Sequence, residues 1–154
     1  MIMEQARLAR KSIEKRVAPL RDAGLTMPPR GWIRAIRDAL GMTTRQLAQR
    51  MGAVQSRIVA LEKAEANGAT TLKSLREAAE AMNCTFVYAI IPIKPLDELI
   101  RQRAAEKADA ELVHLHHTMA LENQAMTKTD LADERARLID ELLAGSMRRL
   151  WEDE

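Results

Sequence analysis

The stretch from residue 42 to residue 62, MTTRQLAQRMGAVQSRIVALE, constrains the fold of this chain more than any other segment. It has the pattern of a helix, a tight turn and a second helix. Thr43 and Gln46 have the spacing of a capping box, which fixes the start of the first helix, and Gly52 permits the left-handed residue that ends it. We therefore predict a helix–turn–helix. Its buried side is predicted to consist of Leu47, Ala48, Met51, Ile58 and Leu61.

The segments on either side continue the helical pattern. GWIRAIRDALG at 31–41 predicts a helix before the motif, and TTLKSLREAAEAMN at 70–83 predicts one after it. Together they indicate a core of four helices over residues 31–83. The inward-facing positions expected in the two flanking helices are Trp32, Ile33, Ile36, Leu40, Leu72, Leu75, Ala78, Ala79 and Met82.

The N-terminal end of the second helix is predicted to be exposed, and it carries Gln55, Ser56 and Arg57. A recognition helix presents this end to base edges in the major groove, so we predict binding to double-stranded DNA. The charge distribution agrees with this. Residues 1–63 hold 13 Lys/Arg against 5 Asp/Glu, whereas residues 64–154 hold 11 against 17. The basic half suits a polyanion and predicts an affinity that falls with salt.

This segment resembles the lambda-repressor-like (XRE) family, whose usual form runs R-x-x-x-G-x-T-x-x-x-L-A-x-x-x-G-x-x-x-x-x-I-x-x-x-E. The matching positions are Arg37, Gly41, Thr43, Leu47, Ala48, Gly52, Ile58 and Glu62. The resemblance implies base contacts for Gln55, Ser56 and Arg57. It implies phosphate contacts for Thr44, Arg45 and Lys63. Two positions depart from the family. Val54 stands where a Ser or Thr usually caps the recognition helix, and Ala60 stands where many members carry a polar, base-reading side chain.

We predict three regions along the chain: an N-terminal amphipathic helix and linker (1–30), the helix–turn–helix domain with a short strand (31–92), and a helical C-terminal region (93–154). The basic helix over residues 3–17 is expected to end at Pro19 and the 24–29 region. It is expected to pack on the DNA-binding domain or a second subunit rather than lie on an anionic membrane. Two C-terminal helices are expected, one from Leu96 to about Gln124 and one with an apolar stripe from Leu131 to Trp151. The predicted fold class is mostly α: a lambda-repressor-like helix–turn–helix core with one short β-strand and a C-terminal helical extension.

The predicted strand covers residues 85–91, TFVYAII, which are β-branched and aromatic and are followed by Pro92 and Pro95. A single strand leaves its backbone groups without partners, so it must pair. The partner could be a strand from a second copy of the chain, which would make this segment a homodimer contact.

A second motif is TMALEN, from Thr118 to Asn123, which fits the pattern [ST]-x-x-x-E-[GN]. Thr118 and Glu122 are four residues apart and so share a helix face. The pattern is the inhibitory helix motif of antitoxins that silence Fic-domain AMP-transferases. A pattern this short also arises by chance, in which case Glu122 is an ordinary solvated carboxylate.

Nearly the whole chain resembles the family called mobile mystery protein A. The similar segments are PPRGWIRAIRDALGMTTRQLAQRMG, TLKSLREAAEAMNCTFVYAIIP, HTMALENQ and RRLW. Members of that family are similar to XRE regulators and are encoded beside a Fic-domain protein. The resemblance implies a DNA-binding antitoxin. In it the Glu122 carboxylate pairs with the Fic arginine that otherwise holds the γ-phosphate of ATP, so that ATP binds only in an unproductive pose. Thr118 and Asn123 would help seat the helix.

The sequence holds no H-P-F or G-N-G-R segment, no Gly-rich phosphate loop and no recognisable catalytic arrangement, so we predict neither enzymatic activity nor a cofactor. His114 and His117 share a helix face without a fixed third ligand, so no metal is expected. The single Cys84, the lack of a long apolar segment and the lack of a signal peptide predict a cytoplasmic protein. Two other functions fit the same pattern: a plain XRE-type transcriptional regulator whose C-terminal helices only dimerise, and a protein-binding adaptor with a degenerate helix–turn–helix.

Overall fold

The computed structural model of this chain describes residues 2–122 and 127–153, and these residues are mostly α-helical. The helices are α1 (Ile2–Ala23), α2 (Trp32–Ala39), α3 (Thr44–Arg50), α4 (Gln55–Ala66), α5 (Leu72–Ala81), α6 (Leu96–Leu121), α7 (Lys128–Ala144) and a 3₁₀-helix (Met147–Leu150). They divide into two compact units, which we call the helix–turn–helix unit (Gly24–Ile90) and the α6–α7 unit (Met1–Ala23 with Ile91–Glu154). None of the described helices has the length and apolar character needed to cross a bilayer.

The helix–turn–helix unit has the four helices that the sequence predicts. Its core consists of Ile33, Leu47, Ala48, Ile58, Leu61, Ala78 and Met82. Three residues that were expected to face inward, Trp32, Leu40 and Leu72, are instead exposed. Trp32 and Leu72 are the first residues of their helices and Leu40 follows the last residue of α2. Apolar side chains at the ends of a short helix extend past the region that packs on the core, so they stay in contact with solvent.

The start of α3 is the predicted capping box. Thr43 Oγ1 accepts from the N–H of Gln46 at 3.1 Å, and the Gln46 side chain accepts from the N–H of Thr43 at 2.8 Å. Gly52 adopts φ +63° and ends the helix in the left-handed conformation, as predicted. Helix α4 begins after Val54 with no side-chain cap, because a valine has no hydrogen-bonding atom to offer. The backbone carbonyl of Val54 accepts from the N–H of Arg57 instead.

The predicted β-strand at residues 85–91 is wrong for the single chain. The described residues contain no strand, and no backbone hydrogen bond joins this segment to another. A strand exists only as part of a hydrogen-bonded ladder, and its propensity alone does not supply a partner. Val87 and Ile90 consequently remain 80% and 89% exposed.

The α6–α7 unit is built on an antiparallel helix pair. Ala104 and Ala108 on α6 are fully buried, which lets α7 and the 3₁₀-helix approach closely through Leu142 and Leu150. Helix α7 ends at Ala144 rather than continuing to Trp151, because the chain leaves helical geometry at Gly145. Trp151 is exposed, with the Arg103 guanidinium lying 5.9 Å from the ring centroid.

Helix α1 belongs to this second unit, whereas the sequence-based division placed residues 1–30 in a region of their own. Arg10 Nε donates to Asp97 at 2.9 Å, and Glu14 accepts from the N–H of Leu96 at 3.2 Å, so α1 is tied to the start of α6. Helix α1 does not end at Pro19, where the sequence predicted an end. The helix continues through it to Ala23 and stops at Gly24, where φ is +60°. A proline in a helix removes one hydrogen bond, and here the following turn still forms.

Candidate nucleic-acid interface and candidate inhibitory motif

The three predicted base-reading residues form the first turn of α4, and the structure brings them together on the surface. Gln55, Ser56 and Arg57 are all exposed. The next residue, Ile58, is fully buried and anchors this turn to the core. The buried face of α4 continues through Leu61, Glu62 and Glu65. The helix therefore has one face fixed to its own unit and an N-terminal turn that is open to a partner.

A hydrogen bond joins the N-terminal ends of the two motif helices. Gln55 Nε2 donates to Thr44 Oγ1 at 2.9 Å, and each residue is the first of its helix. The bond restricts the Gln55 side chain and leaves its carbonyl oxygen and second N–H available. An amide with one acceptor and one donor matches the N6 and N7 edge of adenine. Thr44, which was predicted as a phosphate contact, is thus placed to orient the Gln55 amide.

Arg57 has an acidic neighbour that the sequence did not indicate. Its Nη2 lies 3.6 Å from the Glu77 carboxylate on α5, and both side chains are substantially exposed. A pair this long and this solvated contributes little stability. Its effect is to direct the guanidinium toward α5.

The outer face of α4 includes residues beyond the first turn. Lys63 lies seven residues after Ser56, two helical turns along the same face, and is exposed. Between them Val59 and Ala60 are also exposed. Apolar side chains at such positions can contact a thymine methyl group, so Val59 joins the candidate interface. The signal that would have identified Val59 is its spacing of three from Ser56. Arg45, which was also predicted as a phosphate contact, is exposed on α3.

Two buried carboxylates of α4 hold the motif against α2. Glu62 accepts from Arg37 Nε at 2.5 Å, and this hydrogen bond raises the pKa of the Arg37 guanidinium above its ordinary value. Glu65 Oε1 accepts from the N–H of Ile33 at 2.9 Å and so caps α2, whose N-cap residue Gly31 has no side chain. Arg37 and Glu62 are positions of the family pattern. Glu65 was not predicted, because a cap supplied from another helix leaves no local signal.

The candidate inhibitory motif occupies the C-terminal end of α6. Thr118 Oγ1 donates to the His114 carbonyl at 3.1 Å, and the N–H of Glu122 donates to the Thr118 carbonyl at 3.3 Å. The Thr118 and Glu122 side chains are both exposed, one helical turn apart. Asn123, the third predicted residue, lies outside the described residues. The helix itself ends at Leu121, three residues before the predicted end near Gln124.

Glu122 lies at the exposed C-terminal end of α6. Glu122 is the C-cap of α6, where the helix dipole is negative, and the last turn contains no basic residue. Within the described residues no ion pair reaches its carboxylate. Beside it Leu121 is 76% exposed, and Val113 two turns earlier is 73% exposed. These two apolar residues were not predicted. Leu121 adjoins the face that carries Thr118, whereas Val113 lies on the opposite side of the helix from Glu122.

His114, His116 and His117 are exposed on the same part of α6. In the described part of the chain no three His, Cys, Asp or Glu side chains are arranged to hold a metal ion.

In comparisons with known proteins, no family model, no curated protein and no solved structure matches this chain.

Proposed function

We propose that this chain is a DNA-binding antitoxin. Its helix–turn–helix unit would bind operator DNA, and the end of α6 would restrain a Fic-domain AMP-transferase. The sequence resemblance to XRE regulators and to mobile mystery protein A supports both parts. The observation that carries the DNA part is the exposed turn of Gln55, Ser56 and Arg57 directly above the fully buried Ile58.

In the proposed complex the N-terminal turn of α4 enters the major groove. Gln55 pairs with an adenine edge, Arg57 with guanine O6 and N7, and Ser56 with either. Around them Thr44, Arg45 and Lys63 contact phosphates, which fixes the register without reading sequence. Each neutralised phosphate releases counterions, so the affinity depends steeply on salt.

The test of the DNA part is a gel shift on the DNA upstream of this chain's own gene and on a shuffled sequence of equal composition. Measurements at two salt concentrations separate sequence reading from charge attraction. We expect a complex on the upstream DNA that survives the higher salt longer than the complex on the shuffled DNA. Equal binding to the two sequences would refute operator recognition.

The inhibitory step rests on one charge-assisted pair. Fic enzymes carry an arginine late in the loop H-P-F-x-[DE]-G-N-G-R-x-x-R that holds the γ-phosphate of ATP. We propose that the Glu122 carboxylate pairs with this arginine, so that ATP binds without its γ-phosphate in place. Leu121 would be covered by the Fic protein, which would remove water from around the pair and strengthen it. A carboxylate at a negative helix end gains more from such a partner than one already paired in its own chain.

The test of the inhibitory part begins with the neighbouring reading frame, which should encode H-P-F-x-[DE]-G-N-G-R. The two proteins are then co-expressed and separated by size exclusion, and AMP transfer from ATP is measured with and without this chain. We expect co-elution and suppressed labelling. A neighbour without the loop, or full labelling in the co-purified complex, would exclude this role.

A plain XRE-type regulator is the second candidate function, because the exposed Val113 and Leu121 would also serve self-association of the C-terminal helices. A protein-binding adaptor is the third, since Val54 leaves α4 without a side-chain cap and Ala60 offers no hydrogen bond to a base. The gel shift separates the adaptor from the other two. The labelling assay separates the antitoxin from the regulator.

A further inference from the structure

Residues 85–90 of the helix–turn–helix unit expose an apolar segment with an unused backbone. The Phe86 and Tyr88 rings lie 6.2 Å apart and stack at 24°, the i, i+2 relation of side chains on one side of an extended chain. Val87, Tyr88 and Ile90 are 80%, 67% and 89% exposed. In the described chain no backbone hydrogen bond connects this segment to another. Its side chains and its amide groups are therefore both available to a partner.

The segment forms one wall of an apolar groove. The groove has a volume of about 530 Å³ and lies between the start of α2, the end of α5 and the segment itself. Phe86 and Val87 line it together with Trp32, Ile36 and Met82. The exposed row and the groove adjoin at Val87, which belongs to both.

We infer that this surface binds the same surface of a second copy of this chain, forming a twofold-symmetric dimer. The ten residues from Cys84 to Ile93 include no charged residue, so two copies meet without repulsion. Extended segments related by a twofold axis run antiparallel, and each satisfies the backbone groups of the other without any further sequence requirement. The side chains that follow Val87 in each copy then lie against the groove of the other copy. Left uncovered, an uncharged, flat segment of this kind would promote aggregation, which a closed dimer prevents.

Sedimentation velocity of the full-length chain tests the inference, because a dimer has about twice the 17.3 kDa mass of the chain. Ile90→Lys and Tyr88→Lys place like charges across the twofold axis and should raise the dimer Kd by at least about tenfold. Both side chains are exposed, so neither variant disturbs the core, and circular dichroism should show unchanged helix content. Ala89→Pro removes one amide donor and should weaken the dimer through the backbone alone.

Leu40→Lys is the matched control, since it places the same charge on an exposed apolar residue of the same unit that does not line the groove. It should leave the dimer intact. Backbone amides of residues 85–90 should exchange slowly with solvent in the dimer and rapidly in the Ile90→Lys variant. A chain that stays monomeric up to about 1 mM overturns the inference. So does a dimer that survives both Ile90→Lys and Tyr88→Lys, or one that dissociates only with Leu40→Lys. None of these measurements uses DNA or a Fic protein, so the outcome is independent of the proposed function.

Discussion

The guanidinium of Arg37 on α2 and the carboxylate of Glu62 on α4 form a buried, two-pronged ion pair. Arg37 Nε lies 2.5 Å and Nη2 3.3 Å from the two Glu62 oxygens, and Nη1 donates to the Met42 carbonyl at 2.8 Å. The planar fork of an arginine matches a carboxylate in this way, and a lysine cannot. One side chain therefore joins α2, the turn before α3 and α4. The orientation of α4 on its unit depends on this pair.

Arg37→Ala should destabilise the helix–turn–helix unit by about 3–5 kcal/mol, because it leaves the Glu62 carboxylate buried and unpaired. The chain has one tryptophan in each unit, Trp32 and Trp151, so unfolding of this unit is followed by Trp32 fluorescence in urea in a Trp151→Phe background. The control is Arg34→Ala, whose exposed 3.7 Å pair with Asp38 should contribute about 0–1 kcal/mol. Equal losses in the two variants would show that burial of the Arg37 pair has no energetic effect.

The sequence was sufficient where local chemistry decides the structure. The capping box at Thr43, the left-handed Gly52 and the buried Leu47 and Ile58 all follow from short-range rules, and all are confirmed. These rules set the bounds of the helices and the orientation of the first turn of α4. The exposure of Gln55, Ser56 and Arg57 follows in turn, because a helix with one buried face has its remaining residues outside.

The sequence was insufficient where a distant partner decides the structure. Residues 85–91 have strand propensity but no partner strand in the single chain, and propensity cannot provide one. The Glu65 cap on α2 and the Glu77 neighbour of Arg57 connect residues that are 32 and 20 positions apart along the chain, so no local pattern indicates them. Pro19 in α1 is the opposite case. A strong local rule predicts a helix end there, yet the helix continues, and a hydrogen bond from Arg21 to Glu14 spans the proline.

Gly31→Ala should be unusually costly for an alanine substitution. Gly31 has φ +88°, which strains any side chain, and a Cβ there would lie 2.4 Å from Glu65 Oε1. Strain and overpacking together predict a loss of at least about 2 kcal/mol, measured by the same Trp32 unfolding assay. Gly41→Ala is the control. Its φ is +68° with nothing within 4 Å of the added Cβ, so only the backbone strain of about 1–2 kcal/mol is expected.

In a Glu65→Ala background the Gly31 clash disappears, so Gly31→Ala should cost less there than in the natural chain. The same cost in both backgrounds would mean that the Glu65 carboxylate moves aside freely. Its role as the cap of α2 would then be negligible.

Arg57→Ala and Lys63→Ala should affect DNA binding in different ways. If Arg57 reads a guanine, its loss weakens binding by about 1–3 kcal/mol and relaxes the preference at one base pair. Lys63→Ala should weaken binding to all sequences alike and reduce the salt slope by about 1. Gel shifts on a set of single-base operator variants, repeated at several salt concentrations, measure both quantities. An equal loss with Arg57→Ala on every sequence would make Arg57 a phosphate contact.

The α6–α7 unit should lose stability in acid through Glu14. This carboxylate accepts from Arg21 Nη1 at 2.6 Å and from the N–H of Leu96, and the hydrogen bond from Arg21 holds its pKa below the ordinary 4.5. A lowered folded-state pKa contributes stability that is complete above pH 4.5 and is lost as the pH falls through the lowered value. Trp151 fluorescence during urea unfolding, in a Trp32→Phe background from pH 6 to pH 3, measures this loss.

Glu14→Gln should lower the stability of that unit at neutral pH and flatten its dependence on acid. Glu98→Gln is the control, because its carboxylate lies 3.7 Å from Lys94 on the surface and should leave the acid dependence nearly unchanged. An acid response that persists in the Glu14→Gln chain would assign it to other carboxylates of the unit.

Glu122→Gly should release AMP transfer by the co-purified Fic protein without dissolving the complex. The Glu122 side chain is exposed at the end of α6, so its removal costs no internal contact, whereas Leu121 and Thr118 remain to hold the partner. The measurement is ATP-dependent labelling by the complex, with size exclusion to confirm assembly. Glu152→Gly, at another exposed glutamate outside the helices, should leave inhibition unchanged. If the Glu122→Gly complex assembles and still suppresses labelling, inhibition must act by blocking the active site through contact alone, and the carboxylate has no part in it.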